Sequence, residues 1–242
     1  MKKIVISNKS VSKIVYFVVL LFFVIPIGVT FSKFLILSFA EKTEHNLLLK
    51  SEYLLMTIQS LLGIFAINIP YLLTKKYKIK IPITFIILYD IFLFCAIYLG
   101  EIRKFYVRVN MWDNVLHAFS SLMLGLFGFM LVYVLNKSMS AEGLTAKLSP
   151  VFIAFFAFSF SVAVGCIWEI YEFSFDYFFD LNMQKYRLDD GTPLIGRKAV
   201  FDTMKDIIID VLGALTATVI GYLSILRKKG FVSDYLSGKE ST

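Results

Sequence analysis

The sequence predicts an all-α, polytopic membrane protein: one integral domain over residues 1–242, a bundle of about six transmembrane helices, with both termini cytoplasmic. Three observations carry that reading. Hydrophobic residues make up 58% of the 242, where a soluble domain has about 45–50%. The mean hydropathy is +0.74. Six separate stretches reach the roughly 20 apolar residues that a spanning helix needs. The net charge of +7 does not point to nucleic acid, because the basic residues flank the apolar stretches and suit anchoring at a membrane surface.

The first stretch, "KIVYFVVLLFFVIPIGV", follows a basic start and mimics a signal peptide. No small-x-small cleavage site follows it, so it reads as a retained span over 13–32. Apolar character continues to Ala40 as an interfacial segment, with Pro26 and Gly28 marking a kink. The second span, 53–73, ends near "NIPYLL", and the third, 81–99, starts at Pro82. The fourth covers 114–135. The fifth, 150–175, opens with Ser149 as a cap and Pro150 in the first turn. The sixth covers 204–226. The longest connection, 177–203, carries the turn signal "DDGTP". Cys95 and Cys166 lie inside apolar runs and read as small buried hydrophobes; two cysteines make no disulfide framework.

Orientation follows the basic residues. With the N-terminus inside, 14 of the 25 lysines and arginines fall on the inner side, among them Lys2, Lys3 and the clusters "KKYKIK" (Lys75, Lys76, Lys78, Lys80) and "RKKG". Lys137, Lys147 and Lys239 belong to the same side. The acids distribute otherwise: only Glu142, Asp234 and Glu240 are inner, Asp90 lies within the third span, and 14 of 18 are outer. Acids contribute little to insertion, so a functional origin fits this skew better.

Three helix ends bring those acids to the outer side at helical spacing. Asp113 and His117 open the fourth span, four residues apart and on one face. Glu169, Glu172 and Asp176 close the fifth in "WEIYEFSFD". Asp202, Asp206 and Asp210 open the sixth as a third stripe. An ionised side chain facing lipid costs at least ~2.5–3.5 kcal/mol at mid-membrane, so the stripes should face one another. Carboxylates facing one another need an offsetting positive charge: protons, a bound cation, or Arg103, Arg108, Arg197, Lys198 and Lys205. A divalent metal is the sharpest candidate. Carboxylates with one imidazole suit zinc, manganese or iron, and oxygen ligands alone suit magnesium or calcium. The competing account is structural: Asp113 and Asp202 as helix caps, Asp206 favouring the helix dipole, Glu169 and Asp176 paired with arginines. It handles Glu172, Asp210 and His117 poorly, since they lie deeper.

The segments "WDNVLHAFSSLMLG", "IWEIYEF" and "FDTMKDIIIDVLGA" resemble the YjdF-like family of uncharacterised bacterial integral membrane proteins. The resemblance covers roughly 81–226. It places Asp113 and His117 on an Asp-x-x-x-His pair, Trp168, Glu169 and Glu172 on a Trp-Glu-x-x-Glu element, and Asp202, Asp206 and Asp210 on an Asp-rich element. It implies a multi-span protein of the cell membrane with polar residues near one face, and it implies no reaction.

Three functions remain open on these residues. The first is a metal-dependent enzyme acting on a lipid or lipid-linked substrate at the outer leaflet. Its ligands would be His117, Glu169, Glu172 and Asp206, with Asp202 nearby, and Asp113 or Asp210 would act as base. The second is a transporter of a cation or cationic solute, with Asp90 on its path. The third is a non-catalytic membrane protein with structural acids. No GxSxG, Walker or HExxH motif is present. His45 reads as solvated, and Trp112 and Trp168 as an interfacial aromatic belt.

Overall fold

The computed structural model describes residues 8–77, 79, 81–141, 148–188 and 190–236. Of the charged residues used above for topology, Lys2, Lys3, Lys78, Lys80, Glu142, Lys147, Lys239 and Glu240 lie outside that set, as does Asp189 of the turn signal. Among the described residues, six helices are long and apolar enough to cross a membrane: Asn8–Phe39, His45–Tyr77, Ile83–Ile102, Trp112–Asn136, Pro150–Phe179 and Phe201–Arg227. The protein is an all-helical, multi-pass membrane protein. The chain divides into two compact units, residues 1–113 and 114–242.

In the first unit, α1 runs from Asn8 to Phe39 without interruption, so the interfacial segment expected beyond residue 32 is a continuation of the same helix. Its buried residues Val19, Phe23, Pro26 and Thr30 recur at steps of three and four and form one face. Thr30 donates to the Pro26 carbonyl (3.0 Å), and its hydroxyl meets that of Thr57 on the next helix (2.8 Å). That helix, α2 (Glu44–Ile67), starts at Thr43, whose hydroxyl accepts the Asn46 N–H.

The second span breaks at Asn68 and resumes as α3 (Ile69–Tyr77). Pro70 causes the break by removing the N–H that would meet the Ala66 carbonyl. Side chains repair it. Tyr89 donates to the Ala66 carbonyl (2.9 Å), Asn68 Nδ2 donates to the Ile64 carbonyl (2.8 Å), and Tyr16 donates to Asn68 Oδ1 (3.1 Å). The third span is α4 (Ile83–Leu93), continued by a π-helix over Phe94–Ile102. The Arg103 N–H reaches five residues back to the Tyr98 carbonyl (2.9 Å). A short helix, α5 (Phe105–Arg108), follows.

In the second unit, α6 (Trp112–Ala141), α7 (Pro150–Phe179) and α8 (Phe201–Arg227) are the long helices, and α9 (Phe231–Leu236) is short. Ser149 accepts the Phe152 N–H and Pro150 fills the first turn of α7, as the sequence predicts. The buried faces of α7 and α8 share one design. On α7 the face reads Ala154, Ala157, Ser161, Gly165, Glu169, Glu172, Asp176. On α8 it reads Asp202, Asp206, Asp210, Ala214, Ala217, Gly221. Each stripe is small at one end and acidic at the other.

Small residues let backbones approach closely where hydrocarbon offers no hydrophobic drive between helices. A methyl group on Gly128 would lie 2.7 Å from the Ala157 Cα and 3.1 Å from its Cβ. Ser161 donates to the Ser121 carbonyl (2.7 Å), tying α7 to α6. The opposite faces carry exposed Phe155, Ile167, Ile170, Phe173, Ile208 and Leu212, a lipid-facing surface.

Between α7 and α8 the connection is ordered. Asp180 ends α7 with a left-handed backbone (φ 53°). The "DDGTP" signal becomes a tight turn: Gly191 has φ 85°, its N–H meets the Leu188 carbonyl, and Asp190 accepts the Thr192 N–H. Those contacts hold the Asp190 carboxyl below its ordinary range, chiefly through the Thr192 N–H.

Ala157→Leu should overfill the contact with Gly128, lowering stability by about 1–3 kcal/mol. Thermal unfolding of the purified protein in detergent measures this; an unchanged midpoint would show that the two helices do not pack as closely as described.

Candidate functional site

The acidic ends of the three long helices converge. The partition between the units falls after Asp113, inside the first turn of α6, so Asp113 rides on the helix that carries His117. His117 is buried and central. Its Nδ1 lies 3.3 Å from both Asp210 oxygens. Its Nε2 lies 4.0 Å from Glu169 Oε1. One ligand atom each from Asp113, His117 and Asp206 fall within 4.8 Å of one another. Two metal–ligand bonds of about 2.0–2.6 Å span such a separation.

Local structure explains why these groups can meet. Asp210 enters against Gly165, whose missing side chain is the space it occupies; a Cβ there would collide with the carboxylate. Ser121 Oγ donates to the His117 carbonyl (2.8 Å), while its own carbonyl accepts from Ser161. The α6 backbone beneath the histidine is thereby tied to α7.

The remaining sequence-predicted residues take distinct places. Glu172 is buried and accepts the Trp168 indole N–H (3.0 Å). Asp202 meets two ammonium groups, Lys205 Nζ at 2.7 Å and Lys185 Nζ at 3.1 Å. Lys205 also lies 3.5 Å from Asp206. Asp176, the outermost acid of the α7 stripe, accepts the backbone N–H groups of Met183 (2.7 Å) and Gln184 (3.0 Å). It anchors the connection, and Gln184 Nε2 extends that anchoring to Thr203 on α8 (2.7 Å). Arg187 closes the loop on Asp180 (2.8 Å) and on the Asp180 and Leu181 carbonyls.

Two members of the site lack a strong signal in sequence. Lys185 comes from an irregular connection, where no period predicts which way a side chain points. Trp168 reads as an interfacial aromatic, yet its four-residue spacing to Glu172 is the geometry of a side-chain pair on one helix face.

Residues 31–227 match the family described as "Predicted membrane protein (DUF2238)". The chain belongs to this family. An uncharacterised protein of Thermotoga maritima is 28% identical over 161 residues, which cover 66% of this chain and 71% of that protein. No solved structure matches the chain. At this level the family agrees with the uncharacterised membrane family that the motifs suggest, and the matched region includes all three stripes.

Replacing Asp176 with Ala removes the acceptor of two loop N–H groups, each costing about 1–3 kcal/mol when left unsatisfied. Limited trypsinolysis should then cut after Lys185 or Arg187 severalfold faster than in the wild type. Equal rates would mean that the connection is held by its other contacts alone.

Proposed function

We propose that the convergent ends of α6, α7 and α8 form a divalent-metal site of a membrane enzyme acting on a lipid or lipid-linked substrate. The observation that carries this is the Asp113–His117–Asp206 group, with Asp210 beside Nδ1 of the same imidazole. A metal-ligating histidine characteristically gives its other ring N–H to a carboxylate, which fixes the tautomer and raises ligand basicity. With the ion on Nε2, Asp210 would stand in that position. The Nε2 lone pair is then presented toward Glu169.

Two carboxylates and an imidazole suit zinc, manganese or iron better than magnesium. Such an ion, when bound, polarises a substrate oxygen and lowers the pKa of bound water. The chain's own residues divide the remaining work. Asp113, His117 and Asp206 hold the ion. Glu169 is the carboxylate nearest the imidazole that is not on its Nδ1 side, and it takes the role of proton acceptor. Glu172, held by Trp168, keeps a second acceptor at the edge. Lys185 and Lys205 neutralise Asp202 and keep this part of the stripe from repelling Asp206.

The lipid substrate class is supported by the setting. The helices that carry the acids expose Ile167, Ile170, Phe173 and Ile208 beside them, so a substrate with an apolar tail can approach from the bilayer. The skew of basic residues supports both termini in the cytoplasm and the acidic end outside. The likeness to YjdF-like proteins supports this membrane setting.

Elemental analysis of the purified protein tests the reading. Stoichiometric divalent metal is expected, lost in His117→Ala and in Asp206→Asn and retained in Asp202→Asn. Asp210→Asn should weaken binding about 10–100-fold. Acidification should release the ion, because its ligands must be deprotonated. Protein that takes up no metal at any pH would overturn the assignment in favour of purely structural acids.

A further inference from the structure

We propose that Asp90 is a second, separate site: a proton-binding carboxyl in the first unit, held neutral in the closed arrangement and exchanging its proton when that unit opens to water. Asp90 sits on α4, the eighth of the twenty residues in the third membrane-length helix, Ile83–Ile102. It is fully buried. Among the described residues, neither carboxyl oxygen has a hydrogen-bond partner.

Several hydroxyls on α4 and on the helices packed against it bond other groups. Tyr89 donates to the Ala66 carbonyl and Tyr16 to Asn68. Thr30 and Thr57 bond one another, and Ser60 donates to the Met56 carbonyl. The elements packed against α4 are α1, α2 and the π-helix. Their charged and titratable residues also include Lys33, which donates to Tyr53, and Glu52, which is paired with Lys104, together with Lys9, Lys13, His45, Lys50, Cys95, Tyr98 and Glu101. None is hydrogen-bonded to Asp90 among the described residues.

Two physical facts follow. An ionised carboxylate without a partner in such surroundings costs far more than a neutral one, so the acid form is the stable one here. A neutral acid without a hydrogen bond holds no polar contact in the fold, and it retains its capacity to give up and regain a proton. The placement also suits a movable segment. Asp90 stands four residues before Phe94, where the helix widens to the π form, a departure from α geometry that recurs at functional positions. This site is independent of the metal site, and neither result bears on the other.

The test is labelling of the purified full-length protein with dicyclohexylcarbodiimide, a hydrophobic reagent that adds to protonated carboxyls in apolar surroundings, with the adduct located by peptide mass. The expected result is an adduct on the Asp90 peptide that declines as pH is raised and is unaffected by excess sodium or potassium. In Asp90→Asn the adduct should drop to background while the thermal midpoint is retained. Absence of labelling at Asp90 in the wild type at acidic pH would overturn the proposal. Protection by sodium would overturn it in favour of a metal-cation site. Both readouts come from the wild type and stand whether or not the variant folds.

Discussion

Hydrocarbon offers no water to a polar group, and several unusual features of this protein are local answers to that constraint. Where Pro70 deprives the Ala66 carbonyl of its helical donor, a tyrosine from the next span supplies one. Where serines lie inside the second unit, their hydroxyls bond helix carbonyls. Where carboxylates lie inside, they are gathered at one end of α7 and α8, opposite an imidazole, two lysines, an indole and two backbone amides. The same stripe supplies the means. Its small residues bring the helices close, and closeness lets short aspartate side chains reach across.

The site therefore has an internal division. Asp176 and Asp202 are occupied with architecture: one holds the connection and the other gathers lysines. His117 and Asp210 form the central pair, with Glu169, Asp206 and Asp113 around them. Depth sorts these roles. On α7 and α8 the acids nearest the helix ends, Asp176 and Asp202, meet loop groups, and Glu169 and Asp210, further in, meet His117.

The spans were legible because a bilayer imposes length and apolarity on each helix, and Ser149–Pro150 announces a helix start by its own chemistry. The stripes were legible because 3.6-residue periodicity converts spacing into a shared face, and because charge in a lipid-facing position is excluded. Contacts that depend on irregular backbone were not. Lys185 reaches Asp202 from a connection with no period, and the bonds from Asp176 to Met183 and Gln184 require the left-handed turn at Asp180. The break at Asn68 has a visible cause in Pro70, but its repair by Tyr89 needs a partner 23 residues away. The division into two units has no clear marker in the sequence, since apolar helices dominate both halves.

The bond from Tyr89 to Ala66 bears on biogenesis. The second span leaves the ribosome before the third, and Pro70 denies the Ala66 carbonyl its helical donor from the outset. Tyr89 adds a side-chain donor to it once the third span arrives. The two spans thus reach their lowest free energy as a hairpin and not as successive single helices. A proline that looks like a defect in one helix becomes an instruction about the order in which two of them settle into the membrane.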